Sequence, residues 1–410
     1  MRQKLSIEDL RCQNKKVLMR VDFNVPMDKE GVIQDDSRIV ASLPSIKYVL
    51  SQGGSVILMS HLGRPKGKKD PAFSLAPCAN HLSNLLGVPV IMAPDCIGEK
   101  VEKLAKNLQP GQVLLLENLR FYPAEENPDS DPTFAKQLAN LGDLYVNDAF
   151  GTAHRAHSST ASITQYFPRK AAAGFLMQKE IQFLGSIVAN PQRPFVAVIG
   201  GAKVSTKIGV LKSLLKKVDI LLIGGGMAYT FLKAQGIPIG DSIHEDDSLQ
   251  AAKEILLEAQ KKKKPLILPR DVVIVKNLND PSSARTIEIT PSGIPTDYQG
   301  VDIGPKTIAE FDAELKKAKT VFWNGPVGVF EVPNFAKGTN SVAKTLASLK
   351  AITIVGGGDS LAALKNLELS DKITHLSTGG GASLEFLEFG NLPGIDALSD
   401  KNKKRVAKTE

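Results

Sequence analysis

The sequence predicts an α/β protein of two domains, each a mainly parallel sheet flanked by helices. Three observations predict it. The chain has 410 residues, past the roughly 250–300 at which a single hydrophobic core stops growing. Apolar runs of strand length recur along it, most of them apolar on successive residues, as in strands buried on both faces. Between many of these runs lie segments with apolar residues at helical spacing, and alternating strand and helix is the pattern of parallel sheets.

In the first half the strand-like runs are 17–23, 56–59, 113–116 and 144–146. A helical stripe of Met177, Ile181, Leu184 and Val188 then breaks at Asn190-Pro191-Gln192-Arg193-Pro194, which predicts the domain boundary. In the second half the runs are 195–199, 220–223, 266–268, 321–323 and 352–355. Helical stripes lie between them, such as Ile208, Leu211, Leu214, Leu215, Val218 and Leu249, Ala252, Ile255, Leu256, Ala259.

With 42% hydrophobic and 23% charged residues the composition is that of a folded globular protein, which excludes collagen-like, disordered and coiled-coil classes. No apolar stretch approaches the roughly 18 residues of a membrane span, and the opening residues lack the apolar segment of a secretory signal, so a cytoplasmic protein without a membrane partner is expected. Cys12, Cys78 and Cys96 lack metal or disulfide spacing and are expected to pack as small apolar residues. Fifty-one Lys and Arg against 43 Asp and Glu leave a formal +8, which could serve nucleic acid, a membrane surface or small anionic substrates, and position must decide. The runs at 261–264 and 401–405 have no interleaved aromatics and read as solvated faces.

Three strands of the second half end in glycine clusters: Gly200-Gly201, Gly224-Gly225-Gly226 and Gly356-Gly357-Gly358. A fourth, Gly379-Gly380-Gly381, precedes a helix expected to begin near Ser383. Bare glycine at a strand-to-helix turn lets backbone N–H groups approach an anion, and open α/β sheets bind ligands at these strand ends. Neither the G-x-G-x-x-G nor the G-x-x-x-x-G-K-[ST] fingerprint occurs. Lys203 and Lys207 read as the opening of the next helix, where the dipole repels cations unless an anion sits between them. Asp359 beside phosphate-binding amides is either a helix N-cap or a carboxylate that needs a bridging cation, for which Mg²⁺ fits.

In the first half the strands run into polar groups. Alternation through Val21, Phe23 and Val25 leaves Asp22 and Asn24 on the opposite face, and Arg38 follows just before a helix. Other strands end at Ser60-His61-Leu62-Gly63-Arg64-Pro65, at Glu117-Asn118-Leu119-Arg120 and at Gly151-Thr152-Ala153-His154-Arg155-Ala156-His157. If those strands are parallel, Arg38, His61, Arg64, Arg120 and Arg155 gather at one sheet edge as a cup for a small polyanion. His154 and His157 lack a further ligand at metal spacing, so zinc is rejected.

Taken in order, these motifs resemble the phosphoglycerate kinase family along essentially the whole chain. The resemblance also rests on Gly200-Gly201-Ala202-Lys203-Val204-Ser205-Thr206-Lys207, Trp323-Asn324-Gly325-Pro326-Val327-Gly328-Val329-Phe330-Glu331 and Ser377-Thr378-Gly379-Gly380-Gly381-Ala382-Ser383. It implies two Rossmann-like domains with a cleft and hinge between them. Residues 1–185 would bind 3-phosphoglycerate or 1,3-bisphosphoglycerate, 186–392 would bind ADP or ATP with Mg²⁺, and 393–410 would pack back onto the first domain. It further implies that Asp22, Phe23, Asn24, Arg38, His61, Leu62, Gly63, Arg64, Arg120 and Arg155 hold the glycerate. Gly201, Lys207, Gly225, Gly300, Pro326, Glu331, Gly357, Gly358, Asp359 and Ser360 would hold the nucleotide, with Glu331 on the ribose and Asp359 on the metal. A monomer is expected on the same ground.

A carboxylate acceptor, with a pKa near about 4, is ionised at neutral pH, so an acyl-phosphate reaction needs no general base. It needs alignment and neutralisation of charge on the transferring phosphoryl group, work expected of Arg38, Lys203, Lys207, Mg²⁺ and the Gly380 and Gly381 amides after closure near 185–194 and 392–393. Two alternatives compete. A nucleic-acid module would need aromatic stacking platforms that the first half lacks. A sugar-hydroxyl kinase would need a base, for which Asp22 is the one candidate.

Overall fold

The computed structural model describes residues 3–401, which form two compact units: unit 1 takes in the chain up to Gln182 and again from Asn391, and unit 2 spans Phe183–Gly390.

Unit 1 is built on β1 (Lys16–Arg20), β2 (Ser55–Met59), β3 (Val90–Met92), β4 (Val113–Leu115), β5 (Leu144–Asn147) and β6 (Ala171–Ala173). They form one sheet in the order β3-β4-β2-β1-β5-β6, parallel throughout. Val17, Met19, Val56, Leu58, Val113, Leu115 and Val146 are buried in a common core with Ile39, Ile46 and Val49 of the helix Ser37–Ser51. Apolar residues on successive positions are what two covered faces require. Cys12, Cys78 and Cys96 are free thiols buried in this unit, as expected.

Unit 2 carries β7 (Phe195–Ile199), β8 (Ile220–Ile223), β9 (Leu266–Ile267), β10 (Asp271–Val275), β11 (Arg285–Glu288), β12 (Gln299–Ile303), β13 (Thr320–Asn324), β14 (Ile352–Gly356) and β15 (His375–Leu376). The main sheet runs β15-β14-β13-β7-β8-β9 and is also parallel. Strands β11-β10-β12 form a separate antiparallel sheet that the sequence reading did not anticipate.

Both main sheets reverse their winding once. β1 lies between β2 and β5, and β7 lies between β8 and β13, so each sheet has a switch point where connections leave in opposite directions. The crevice beyond the strand ends at such a point is where open α/β sheets take ligands.

Three local expectations are corrected. The first strand stops at Arg20, and 21–26 continue as irregular chain, although Val21, Phe23 and Val25 are buried. The helix after Gly201 begins at Ile208, with Lys207 at its N-cap and Lys203 in the preceding turn. Ser205 N–H donates to Glu245 Oε2 at 2.9 Å and Lys207 N–H to Val204 O at 2.8 Å, which holds that turn out of the helix. The last glycine cluster does not precede its helix: Gly380 and Gly381 are the first residues of Gly380–Phe389.

The helix Phe175–Ala189 is continuous, so of the stretch 185–194 only 190–194 lies outside it. After Asn391 the chain runs within unit 1. Gly394 N–H donates to Ala153 O and Ser399 N–H to Ala171 O, and Leu5 N–H donates to Ser399 O. Ile395 is fully buried. Of the 393–410 segment, residues 402–410 lie outside the described residues.

Candidate functional site

In unit 1 the residues after β1, β2 and β4 are tied into one network. Arg38 Nη1 donates to both Asp22 carboxylate oxygens at 3.3 and 3.2 Å and to Asn24 O at 3.0 Å. Asn24 N–H closes onto Asp22 Oδ1, and Asn24 Oδ1 accepts from Gly63 N–H at 2.8 Å. Gly63 O accepts from Arg120 Nη1 at 2.9 Å, and Leu62 O from Asn118 Nδ2 at 2.8 Å. Phe23 N–H donates to Ser60 Oγ at 2.8 Å, which pins the chain after β1 to the end of β2. His61 is buried. Its burial, and then the charges of Arg20, Arg120 and Arg38, hold its pKa well below the usual imidazole value.

Arg64 and Arg155 are exposed. Arg64 lies within electrostatic reach of Arg120, and Arg155 acts likewise on His157. His157, buried, is pushed down to about 3, first by burial and then by Arg20, Arg120 and Arg155. Asp22, Asn24, Arg38, His61, Gly63, Arg64, Arg120 and Arg155 are therefore gathered at one end of one sheet, with cationic groups in excess. The arrangement favours a small polyanion.

In unit 2 the corresponding place is built from backbone. Gly200 N–H donates to Asn324 O at 2.9 Å and Gly201 N–H to Pro326 O at 2.8 Å, which joins the ends of β7 and β13. Gly225 sits against them with φ +68°; a Cβ there would lie 2.7 Å from Gly201 N and from Pro326 O. Only glycine tolerates both the conformation and the approach. Lys207 Nζ donates to Gly200 O at 2.6 Å and to Asn324 Oδ1 at 3.0 Å. Burial lowers its pKa to about 8 against the opposing pull of Asp359.

Gly357, at φ +93°, is the N-cap of the helix Gly358–Asn366, so Asp359 is not the cap: it occupies the first turn and is exposed. Ser360 Oγ, buried, accepts from Gly325 N–H at 2.7 Å. Gly380 opens its own helix close enough to Gly357 that its Cβ would lie 3.3 Å from Gly357 Cα. Gly201, Gly225, Pro326, Lys207 and Gly357 thus meet, directly or through Asn324, at the switch point. Lys203 and Glu331 are exposed. Gly300 lies in β12 of the antiparallel sheet, its N–H donating to Ser242 Oγ at 2.9 Å.

Sequence reasoning missed Arg20 and Asn324, the last residues of β1 and β13. A signal existed: each is a polar residue closing an otherwise apolar buried strand, where one is costly without a partner.

The family profile described as "Phosphoglycerate kinase" matches residues 7–389. The chain is 55% identical to a phosphoglycerate kinase of Chlorobium phaeobacteroides over 97% of its own length and 100% of the relative. It is also 55% identical to that of Chlorobaculum tepidum, with the same coverage. Among solved structures, phosphoglycerate kinase from Coxiella burnetii superposes with a TM-score of 0.85 at 43% identity, covering 96% of this chain and 98% of that one. The enzyme from Pyrococcus horikoshii gives 0.83 at 34% identity, over 96% and 98%. With a profile spanning nearly every described residue and relatives matched end to end, this chain belongs to the phosphoglycerate kinase family, phosphotransferases of glycolysis.

Proposed function

We propose that unit 1 binds 3-phosphoglycerate or 1,3-bisphosphoglycerate and unit 2 binds ADP or ATP with Mg²⁺, the acyl phosphate passing reversibly between them. The observation that carries this reading is the pairing of two unlike anion sites, each at a sheet's switch point: a cluster of guanidinium groups around Asp22 and Asn24, and a glycine-lined cradle around Lys207. Guanidinium forks suit carboxylate and phosphate, whereas bare backbone amides suit a polyphosphate chain.

Asp22 and Asn24 hydrogen-bond the glycerate hydroxyl, Arg64, Arg120 and Arg155 neutralise its charges and His61 donates a hydrogen bond to it, with Phe23, Leu62 and Gly63 shaping the wall. Gly201, Gly225, Gly300, Pro326 and Glu331 line the nucleoside side, and Lys207 with Gly357, Gly358 and Ser360 takes the phosphates. A single exposed carboxylate on a helix's first turn, as Asp359 is, fits Mg²⁺, which keeps waters and takes phosphate oxygens rather than an all-protein cage. Bound there, Mg²⁺ supplies charge neutralisation on the phosphates. Arg38, Lys203, Lys207 and the amides of Gly380 and Gly381 oppose the charge that spreads over the transferring group. The acceptor carboxylate is already ionised, so no residue need act as base. Because these groups belong to two units, turnover requires the units to bring their ligands together.

The same reading makes the protein a cytoplasmic monomer without nucleic-acid or membrane partners. Among the described residues no helix is long and apolar enough to cross a membrane. The test is to mix the purified protein with MgATP and 3-phosphoglycerate and trap the acyl phosphate with hydroxylamine. Formation of the hydroxamate is the expected result, and its absence while ATP is hydrolysed would overturn the assignment.

A further inference from the structure

Beneath the cationic end of the unit 1 sheet lies a pair of buried charges outside the substrate set. Arg20 and Glu125 are both fully buried. Arg20 Nε donates to Ser159 Oγ at 2.8 Å and Nη1 donates to Val21 O, while Nη2 stands 3.2 Å from His61 Nδ1 and 3.8 Å from Glu125 Oε1. Ser159 completes the cluster: its Oγ donates to Glu125 Oε1 at 2.6 Å and its N–H to Oε2 at 3.0 Å. Every arm of the guanidinium is thereby directed.

We infer that Arg20 is a positioning residue that fixes His61 as the Nε2–H tautomer by donating to its Nδ1. A guanidinium has five N–H groups and no acceptor, so the contact is a hydrogen bond only if Nδ1 carries a lone pair. The ring's single proton then resides on Nε2, which makes that atom a donor. The opposite tautomer would place two donors against each other at Nδ1 and leave Nε2 as a lone pair, unsuited to an anion.

Two further observations support this role. A buried ion pair contributes little net stability, since apolar replacements are often neutral or better; a pair kept against a histidine of the anion site therefore calls for another reason. The groups acting on His61 are Arg20, Arg120, Arg38 and His157, and together with burial they keep the ring from gaining a second proton. His61 is thus a donor whose state does not follow pH through the physiological range, and Arg20 decides which nitrogen donates.

This inference rests on the glycerate reading for its consequence and its KM readout but not for its spectroscopic test. Long-range ¹H–¹⁵N spectra of protein labelled at histidine, with His61 assigned through His61→Gln, report the tautomer directly in the absence of substrate. The Nε2–H pattern is expected at about pH 6 and about pH 8; an Nδ1–H pattern, or a cation at the lower pH, overturns the proposal. The double variant R20M/E125Q removes both buried charges together, and S159A loosens the guanidinium more gently. In the double variant the His61 signal should shift toward a mixture of tautomers, and KM for 3-phosphoglycerate should rise by about tenfold, the worth of one charge-assisted hydrogen bond, while KM for MgATP stays put. An unchanged His61 signal in a folded double variant overturns the role of Arg20. Should R20M/E125Q fail to fold, S159A carries the same readout. If wild-type protein shows the tautomer but does not convert 3-phosphoglycerate, the functional reading fails and the tautomer assignment stands.

Discussion

The ammonium of Lys207 donates to Asn324 Oδ1 at 3.0 Å, and the buried Nδ2 of the same amide has no hydrogen-bond partner among the described residues. One side chain thus holds the lysine while offering a spare donor at the end of β13. Burial draws Lys207 down to about 8, so the free protein loses this charge as pH rises through that value. An arriving phosphate favours the cation and pulls the pKa back up. ADP binding at about pH 8 should therefore take up about half a proton. Calorimetry in two buffers of different ionisation heat reads the uptake; Lys207→Ala should abolish it and weaken ADP while leaving 3-phosphoglycerate binding intact.

Arg38 is held by Asp22 and the Asn24 carbonyl through one terminal nitrogen, Nη1. As a donor to the transferring phosphoryl group, its loss should lower kcat by on the order of 10²-fold. Steady-state kinetics of Arg38→Ala check this, and full turnover would remove Arg38 from the chemistry.

Gly225 and Gly381 make a contrasting pair. At Gly225 an added Cβ meets backbone at 2.7 Å on two sides and φ is +68°, whereas at Gly381 nothing lies within 4 Å. Gly225→Ala should cost roughly 1–3 kcal/mol of stability and weaken the nucleotide. Gly381→Ala should fold normally, so any fall in its rate reports on the anion site alone. Denaturant titration beside ADP affinity separates the two effects.

Asp148 is fully buried, and burial raises its carboxyl to about 6 from 3.8 although Ser45, Met177 and Leu176 donate to it. Between those values the folded protein binds more protons than the unfolded chain, so this group's contribution falls as pH rises through the window and stays unfavourable above it. The cost at neutral pH is about 3 kcal/mol on the scale of 1.36 kcal/mol per unit. Asp148→Asn should recover part of it and flatten stability between about pH 4 and 6, as urea titrations across that range would show.

What could be read beforehand followed burial. Strands such as β2 and β7 are apolar at nearly every position because both faces are covered, and no other element looks like that. β11, Arg285–Glu288, is largely exposed on the edge of its sheet and has no apolar signature, so the antiparallel sheet stayed hidden. β6 is three alanines, too small to announce a strand. In the site, arginines and glycines beyond strand ends were legible because their chemistry has few other uses there. Arg20 and Asn324 were not, since each ends a strand whose apolar run drew attention to the core instead. The turn bearing Lys203 was misread as helix because its stop comes from Glu245, forty residues away from Ser205.

The Asn391–Lys401 stretch has a bearing on synthesis. Leu5 waits for Ser399, and Ala153 for Gly394, before their backbone groups are matched. A nascent chain leaving the ribosome meets every residue of the second unit before the first can be finished. The earliest translated half is thus the last to be sealed, and it spends that interval with the seat of Ile395 open.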